Sequence, residues 1–115
     1  MSQKILFLKG LPASGKSTFA KKFAEENPNF IRLNKDDIRE FFNNPKFTSS
    51  FEKDVLSIQR TLGAVALKLG KSLIIDDTNF AEKHQIYWQQ VALDASIEFE
   101  IKTFDTPLEV WYCTR

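Results

Sequence analysis

The apolar run Lys4-Ile5-Leu6-Phe7-Leu8-Lys9 leads without interruption into Gly10-Leu11-Pro12-Ala13-Ser14-Gly15-Lys16-Ser17. Those eight residues fit the pattern Gly-x4-Gly-Lys-Ser/Thr, in the strand-to-helix context that gives the pattern its meaning. A chain that begins this way is committed to an α/β unit. The run reads as a buried strand, Gly10 and Gly15 let the backbone turn tightly, and Thr18 and the residues after it begin a helix whose positive end faces the loop. Backbone N–H groups of Leu11, Pro12, Ala13 and Ser14 and their neighbours would then cradle phosphate oxygens, proline excepted because it has no N–H. Lys16 can reach the outer phosphates as a point charge, and the Ser17 hydroxyl can ligate the Mg2+ that travels with a nucleotide. The segment from Gly10 to Thr18 is therefore the expected nucleoside triphosphate site.

Bulk properties narrow the alternatives. With 115 residues and 13.3 kDa the chain has the length of one domain. Sixteen basic against fifteen acidic side chains give a formal charge of +1, so no strong overall field draws the protein to nucleic acid or membrane, and any nucleic-acid contact must be local. The single cysteine, Cys113, has no partner for an internal disulfide and reads as a small packing residue. No apolar stretch is long enough to span a bilayer or act as a signal peptide, and the expected location is cytoplasmic, with no membrane partner.

Strand and helix patterns alternate along the rest of the sequence. A first strand over residues 4–9 and a helix over 16–26, ended by Asn27-Pro28, precede a short second strand, Phe30-Ile31-Arg32-Leu33. Asn34-Lys35-Asp36-Asp37 offers capping side chains for a helix running through Ile38, Phe41 and Phe42 until Asn43-Asn44-Pro45. Ser49 or Ser50 then caps a long amphipathic helix carrying Val55, Leu56, Ile58, Leu62, Val65, Ala66 and Leu69 up to Gly70. Ser72-Leu73-Ile74-Ile75-Asp76 is a third strand. Asp77-Thr78-Asn79 turns into a helix with Ile86, Trp88, Val91 and Leu93, residues 97–104 form a fourth strand, and Pro107 opens a last helix. Such alternation implies a parallel sheet covered by helices on both faces, with a ligand crevice at the carboxyl ends of the strands.

Three further polar groups fall at that same edge: Asp36, Asp37 and Arg39 after the second strand, Asp76-Asp77-Thr78-Asn79 after the third, and Asp105 after the fourth. One carboxylate there can accept a proton from an attacking hydroxyl and another can hold Mg2+, while an arginine offers a forked donor to a phosphate. Asp36 and Arg39, three apart on a helix, share a face that Asp37 does not, which makes them the candidate functional pair. Either aspartate also suits a helix cap, and Asp76, Asp77 and Asp105 also suit turns. His84 is expected on a solvated helix face. Most of the eleven phenylalanines are expected in the core, with Phe41, Phe42, Phe47 and Phe51 near the acceptor side, where one can stack on a base.

At these residues the chain resembles the kinase domain of the bacteriophage polynucleotide 5′-kinases. The matching segments are Gly10 to Thr18, Asn27-Pro28-Asn29-Phe30, Asn34-Lys35-Asp36-Asp37-Ile38-Arg39, Asp77-Thr78-Asn79 and Phe104-Asp105-Thr106-Pro107. The loop is common to many kinases, whereas its combination with Asn-basic-Asp-Asp-x-x-Arg and Asp-Thr-Asn is much more specific. The resemblance implies a small P-loop kinase fold with strand order 2-3-1-4, and transfer of the γ-phosphate of ATP to a 5′-hydroxyl end of DNA or RNA. It implies Asp36 as general base and Arg39 as ligand of the acceptor's 3′-phosphate. Lys16 and Ser17 become the phosphate and Mg2+ contacts, and Asp77, preferred to Asp76, supports the acceptor site with Thr78 and Asn79. By the same resemblance an arginine-rich lid follows the Phe-Asp-x-Pro turn, so residues 1–115 are expected to be one P-loop kinase domain that is incomplete at its C-terminus. A small-metabolite or nucleotide kinase and a non-catalytic nucleotide-binding module are the competing readings.

Overall fold

The structure, a computed structural model, describes residues 3–10, 15–43, 48–77 and 82–104. Its elements are β1 (Lys4–Gly10), α1 (Lys16–Glu26), β2 (Phe30–Leu33), α2 (Lys35–Arg39), α3 (Ser49–Lys68), β3 (Ser72–Asp76), α4 (Glu82–Asp94) and β4 (Glu98–Phe104). All pairings are parallel, and the four strands lie in the order β2-β3-β1-β4, as expected. Helices lie on both faces, as the alternating pattern implied, and the strand order is the one implied by the resemblance to the P-loop kinases.

Strand alternation sorts the core into two layers. Ile5, Phe7, Leu33, Leu73 and Ile75 face Ala66 of α3 and Trp88 and Ala92 of α4. Leu6, Leu8, Ile74 and Phe104 face Ala20 of α1, with Phe19 and Phe23 packed alongside. Both faces of β1 and β3 are thus covered, which is why these two strands read as continuous apolar runs. A third cluster, Ile38, Phe51 and Val55 with Phe42 against it, lies off the sheet and docks α2 on the start of α3. Among the described residues no helix is long and apolar enough to cross a membrane.

Four expectations change. The helix after β2 ends at Arg39, because the amides of Phe41 and Phe42 bond three residues back, to Ile38 and Arg39, and so tighten the chain out of the α-helix. Phe41 is 65% exposed, while Phe42 makes an edge-on contact with Phe51. The cap of α3 is Thr48 rather than Ser49 or Ser50, since its hydroxyl accepts the Phe51 amide at 3.1 Å. The buried stripe of α3 is Phe51, Val55, Gln59, Gly63 and Ala66, and Leu62, Val65 and Leu69 stand exposed. Gly63 is there because a Cβ would lie 2.6 Å from Cη2 of Trp88, whose ring fills the space. On α4, Ile86 and Leu93 likewise point outward, and Trp88 and Ala92 inward. The far end of α3 closes as expected: Gly70, at φ +82°, lets its own amide and that of Lys71 reach back to Leu67 and Ala66. Asn44, Pro45, Phe47, Asp105, Pro107 and Cys113 lie outside the described residues.

The two glycines of the loop pattern serve different ends. Gly15 adopts φ +90°, a left-handed conformation that favours glycine. Gly10 is instead the last residue of β1, paired with Phe104, and a Cβ there would land on the Phe104 carbonyl oxygen. Gly10→Ala is therefore expected to force β1 and β4 apart and lower the unfolding free energy by about 2 kcal/mol, within the usual range for overpacking. Urea unfolding without nucleotide measures this, and an unchanged midpoint would refute the close-approach account.

Candidate active site

The carboxyl ends of β1, β2 and β3 converge, and a network of charges joins them. Gly15 is the N-cap of α1, which has neither a side-chain cap nor an acidic residue in its first turn, so its leading N–H groups are left for an anion. Leu11, Pro12, Ala13 and Ser14 lie outside the described residues. Lys16 is only 3% exposed, and its ammonium donates to the Asp77 carbonyl and stands 3.7 Å from Oδ1 of Asp76. Burial pulls its pKa below the ordinary lysine value, and the Asp76 carboxylate opposes that pull. The Ser17 hydroxyl lies 3.4 Å from the same Oδ1. Thr18, also in the first turn of α1, is exposed.

Asp76, the last residue of β3, is fully buried. Its Oδ2 accepts Nε of Arg32 on β2 at 2.8 Å, and Arg32 reaches on to Oδ2 of Asp37 at 2.7 Å. Asn34 is the cap of α2: its Oδ1 accepts the Asp37 amide at 3.1 Å, and its Nδ2 donates to the Asp76 carbonyl at 2.5 Å. Asp77 serves a different element. One carboxylate oxygen accepts the Lys35 amide at 2.8 Å and the other accepts Nε2 of buried Gln59 at 2.8 Å, so Asp77 ties the first turn of α2 to the middle of α3.

Asp36 and Arg39 do meet. Nη1 of Arg39 donates to Oδ1 of Asp36 at 2.5 Å, and Asp36 remains 78% exposed. Arg39 is held from behind by Glu52 on α3, through Nε to Oε2 at 3.0 Å and Nη2 to Oε1 at 2.5 Å. This forked pair raises the arginine pKa and holds the Glu52 carboxyl below the usual carboxylate range. The helix turn and the Glu52 fork together fix the guanidinium beside an accessible carboxylate. Thr78 and Asn79 lie outside the described residues.

Sequence reasoning gave no role to Arg32, Lys35, Glu52 or Gln59, and it placed His84 on a solvated face. The structure instead half-buries His84, with Nε2 3.3 Å from Nζ of Lys35. Burial first, then the charge of Lys35, lowers the His84 pKa, and burial lowers that of Lys35. One signal for Gln59 was available: it falls four residues after Val55 and four before Gly63, on the face α3 must bury.

The donor set fits a nucleotide phosphate and its metal. A buried ammonium and an uncapped helix start suit phosphate oxygens. The Ser17 hydroxyl beside the Asp76 carboxylate suits Mg2+, which keeps waters and takes only one or two protein ligands. No group of three or more His, Cys, Asp or Glu that could hold a metal occurs among the described residues.

A family model described as an AAA domain matches residues 5–113, nearly the whole chain. The chain belongs to that family. It is 33% identical over 110 residues to the L-seryl-tRNA(Sec) kinase of Methanococcus maripaludis, covering 92% of this chain and 42% of that protein. It is 26% identical over 122 residues to a putative bifunctional polynucleotide kinase/RNA ligase of Autographa californica nuclear polyhedrosis virus, covering 94% of this chain and 17% of that one. The structure superposes on a chain of the Pnkp1/Rnl/Hen1 RNA repair complex with a TM-score of 0.74 at 27% identity, covering 97% of this chain and 36% of the other. The chain therefore spans less than half the length of these relatives. It has the P-loop kinase fold that its motifs led us to expect.

The His84–Lys35 contact makes a direct prediction. The chain has a single histidine, so its imidazole resonances can be followed by NMR, and their midpoint is expected below the ordinary value of about 6.5. Lys35→Gln removes one of the two leading causes and should raise the midpoint. Because the unfolded state then takes up the proton first, His84 costs the fold stability as pH falls through the usual histidine range. A midpoint at or above the ordinary value in the native protein would contradict the placement of His84.

Proposed function

We propose that this domain is an ATP-dependent phosphotransferase whose acceptor is a hydroxyl carried on a nucleic acid, specifically a 5′-hydroxyl end of DNA or RNA, and that it acts in nucleic-acid end repair. The observation that carries the reading is the exposed Asp36 carboxylate held by Arg39, which is itself forked onto Glu52 at the edge shared with Lys16. ATP with its Mg2+ supplies the transferable γ-phosphoryl group and, through the ion, neutralisation of phosphate charge. Lys16 and the N–H groups at Gly15 and the start of α1 hold phosphate oxygens, and Ser17 and Asp76 hold the ion.

On the acceptor side, Asp36 takes the proton of the attacking hydroxyl as that oxygen bonds to phosphorus and the bond to the departing diphosphate breaks. Arg39 binds the acceptor's 3′-phosphate with the Nη1 and Nη2 hydrogens not spent on Asp36 and Glu52. Asp77 anchors the Lys35 amide, which immediately precedes Asp36, and so positions the base. Thr78 and Asn79 complete the acceptor site in this reading. Support comes from the polynucleotide kinase named among the relatives and from the RNA repair complex among the similar structures.

A second acceptor is favoured by the 33% identity to the L-seryl-tRNA(Sec) kinase, namely a seryl hydroxyl attached to tRNA. Both readings put a hydroxyl carried on a nucleic acid against Asp36, so one experiment separates them. Transfer of label from ATP is compared for 5′-hydroxyl oligonucleotides, seryl-tRNA, nucleosides and small alcohols. Oligonucleotide labelling is expected, and labelling of seryl-tRNA alone would reassign the acceptor. Asp36→Asn should keep ATP affinity and lose about 10²–10⁴-fold in kcat, the usual worth of a general base. Full activity in that variant would remove Asp36 as the base, and ATP binding with no acceptor labelled would leave a nucleotide-binding module.

A further inference from the structure

Beside Glu52 an open groove of about 500 Å³ runs between α2, the start of α3 and α4, with Lys35, Thr48, Glu52, Lys53 and His84 among its lining residues. Two lysines and one carboxylate, Glu52, contribute its charged lining. Glu52 has both carboxylate oxygens engaged by Arg39, which it shares with Asp36. Lys35 and Lys53 have no carboxylate at ion-pair distance among the described residues, and the polar neighbour of the Lys35 ammonium is the His84 ring nitrogen at 3.3 Å. Burial opposes the charge of Lys35, the Asp77 and Glu52 carboxylates support it only from beyond ion-pair distance, and its side-chain partner is an imidazole, so its remaining N–H donors are available to the groove. The volume exceeds what a lone phosphate needs and matches a nucleotide-sized ligand. Glu52 lines the groove and also carries Arg39, which makes the groove continuous with the acceptor edge.

We propose that this groove is a second anion subsite, in which Lys35 and Lys53 hold a phosphodiester of a single-stranded nucleic acid beyond the nucleotide bound at Arg39, while His84 positions the Lys35 ammonium. The inference rests on the acceptor reading above and deepens it: the acceptor is a strand, gripped at more than one phosphate. A lysine that contacts backbone phosphate adds affinity without sequence preference and adds to the salt dependence of binding. A small phosphorylated alcohol would reach Arg39 and leave this groove empty.

The test measures binding by competition anisotropy, across a range of NaCl concentrations, for a nucleoside 3′-phosphate and for a six-nucleotide 5′-hydroxyl strand. The native protein is compared with Lys35→Gln, Lys53→Gln and the double variant. The hexanucleotide is expected to lose affinity several-fold in each single variant, and its slope of log K against log salt to flatten by about 0.7 per lysine removed, the single-strand value. The nucleoside 3′-phosphate should bind all variants equally. Adding the hexanucleotide, and not the nucleoside 3′-phosphate, should also raise the NMR midpoint of His84, because a nearby anion favours the imidazolium. Lys53 lies exposed on α3, so its variant retains the fold even where Lys35→Gln does not. Unchanged hexanucleotide affinity and slope in Lys53→Gln and the double variant overturn the subsite, and so does an equal loss for both ligands. Transfer is not part of this readout: strand binding that depends on the two lysines, with no strand phosphorylated, would count against the kinase reading and leave the subsite standing.

Discussion

Asp76 is the charge on which the rest of the arrangement depends. A carboxylate at the end of a central strand, out of contact with water, is stable only if its charge and lone pairs are met within the protein. Arg32 meets one oxygen and Ser17 and Lys16 meet the other. Those partners come from β2 and α1, so one buried charge fixes the relation of the neighbouring strand and the loop helix to β3. Removing a single partner of such a charge typically costs about 3–5 kcal/mol, far more than a surface pair is worth. The site is therefore not laid on a finished fold. It is part of what holds the carboxyl edge of the sheet together.

The two adjacent acids of Asp76-Asp77 divide labour because consecutive side chains leaving a strand point in opposite directions. Asp76 turns toward α1 and the nucleotide side. Asp77 turns toward α2 and α3, where it receives the Lys35 amide and Gln59. Since α2 is a single short helix of Lys35–Arg39, it has little stability of its own and is held from outside: Asn34 and Asp77 at its start, the Ile38 contact with Phe51 and Val55 beneath, and the Arg39–Glu52 fork at its end. Both candidate functional groups of the acceptor side, Asp36 and Arg39, sit on this externally fixed turn. Placing them there gives exposure to the carboxylate and rigidity to the guanidinium, which a longer surface helix would not supply together.

How much of this could be read from the sequence follows from the range of each interaction. The strands were legible because their patterns are local: β1 and β3 are buried on both faces and read as apolar runs. Gly70 marked the end of α3 because the closing turn needs a positive φ at that residue. The pair Asp36 and Arg39 was legible because helical spacing alone brings positions three apart together. Glu52 and His84 were not, and Gln59 was legible only as a position on the buried face of α3, since the residue each acts on is brought near only by packing. The misreading of α3 has the same origin. Its apolar residues outnumber the places available against the sheet, and the ring of Trp88, far along the chain, decides that Gly63 is inward while Leu62 and Leu69 are not.

Net charge gives a further example of the same distinction between local and long-range information. A balance of +1 argues against a long electrostatic track, yet it says nothing of how the charges are spent. Asp37, Asp76 and Glu52 are each committed to an arginine, and Asp77 to an amide and a glutamine. Arg32 is shared by two acids and Arg39 by two, and Asp77 and Glu52 still act on Lys35, whereas Lys53 has no carboxylate at ion-pair distance among the described residues. At physiological salt, charges farther off than about 8 Å are largely screened, so the groove responds to its own lining rather than to the molecule's sum. A nearly neutral domain can thus still bring two lysines together in one groove, whatever the sum of its charges.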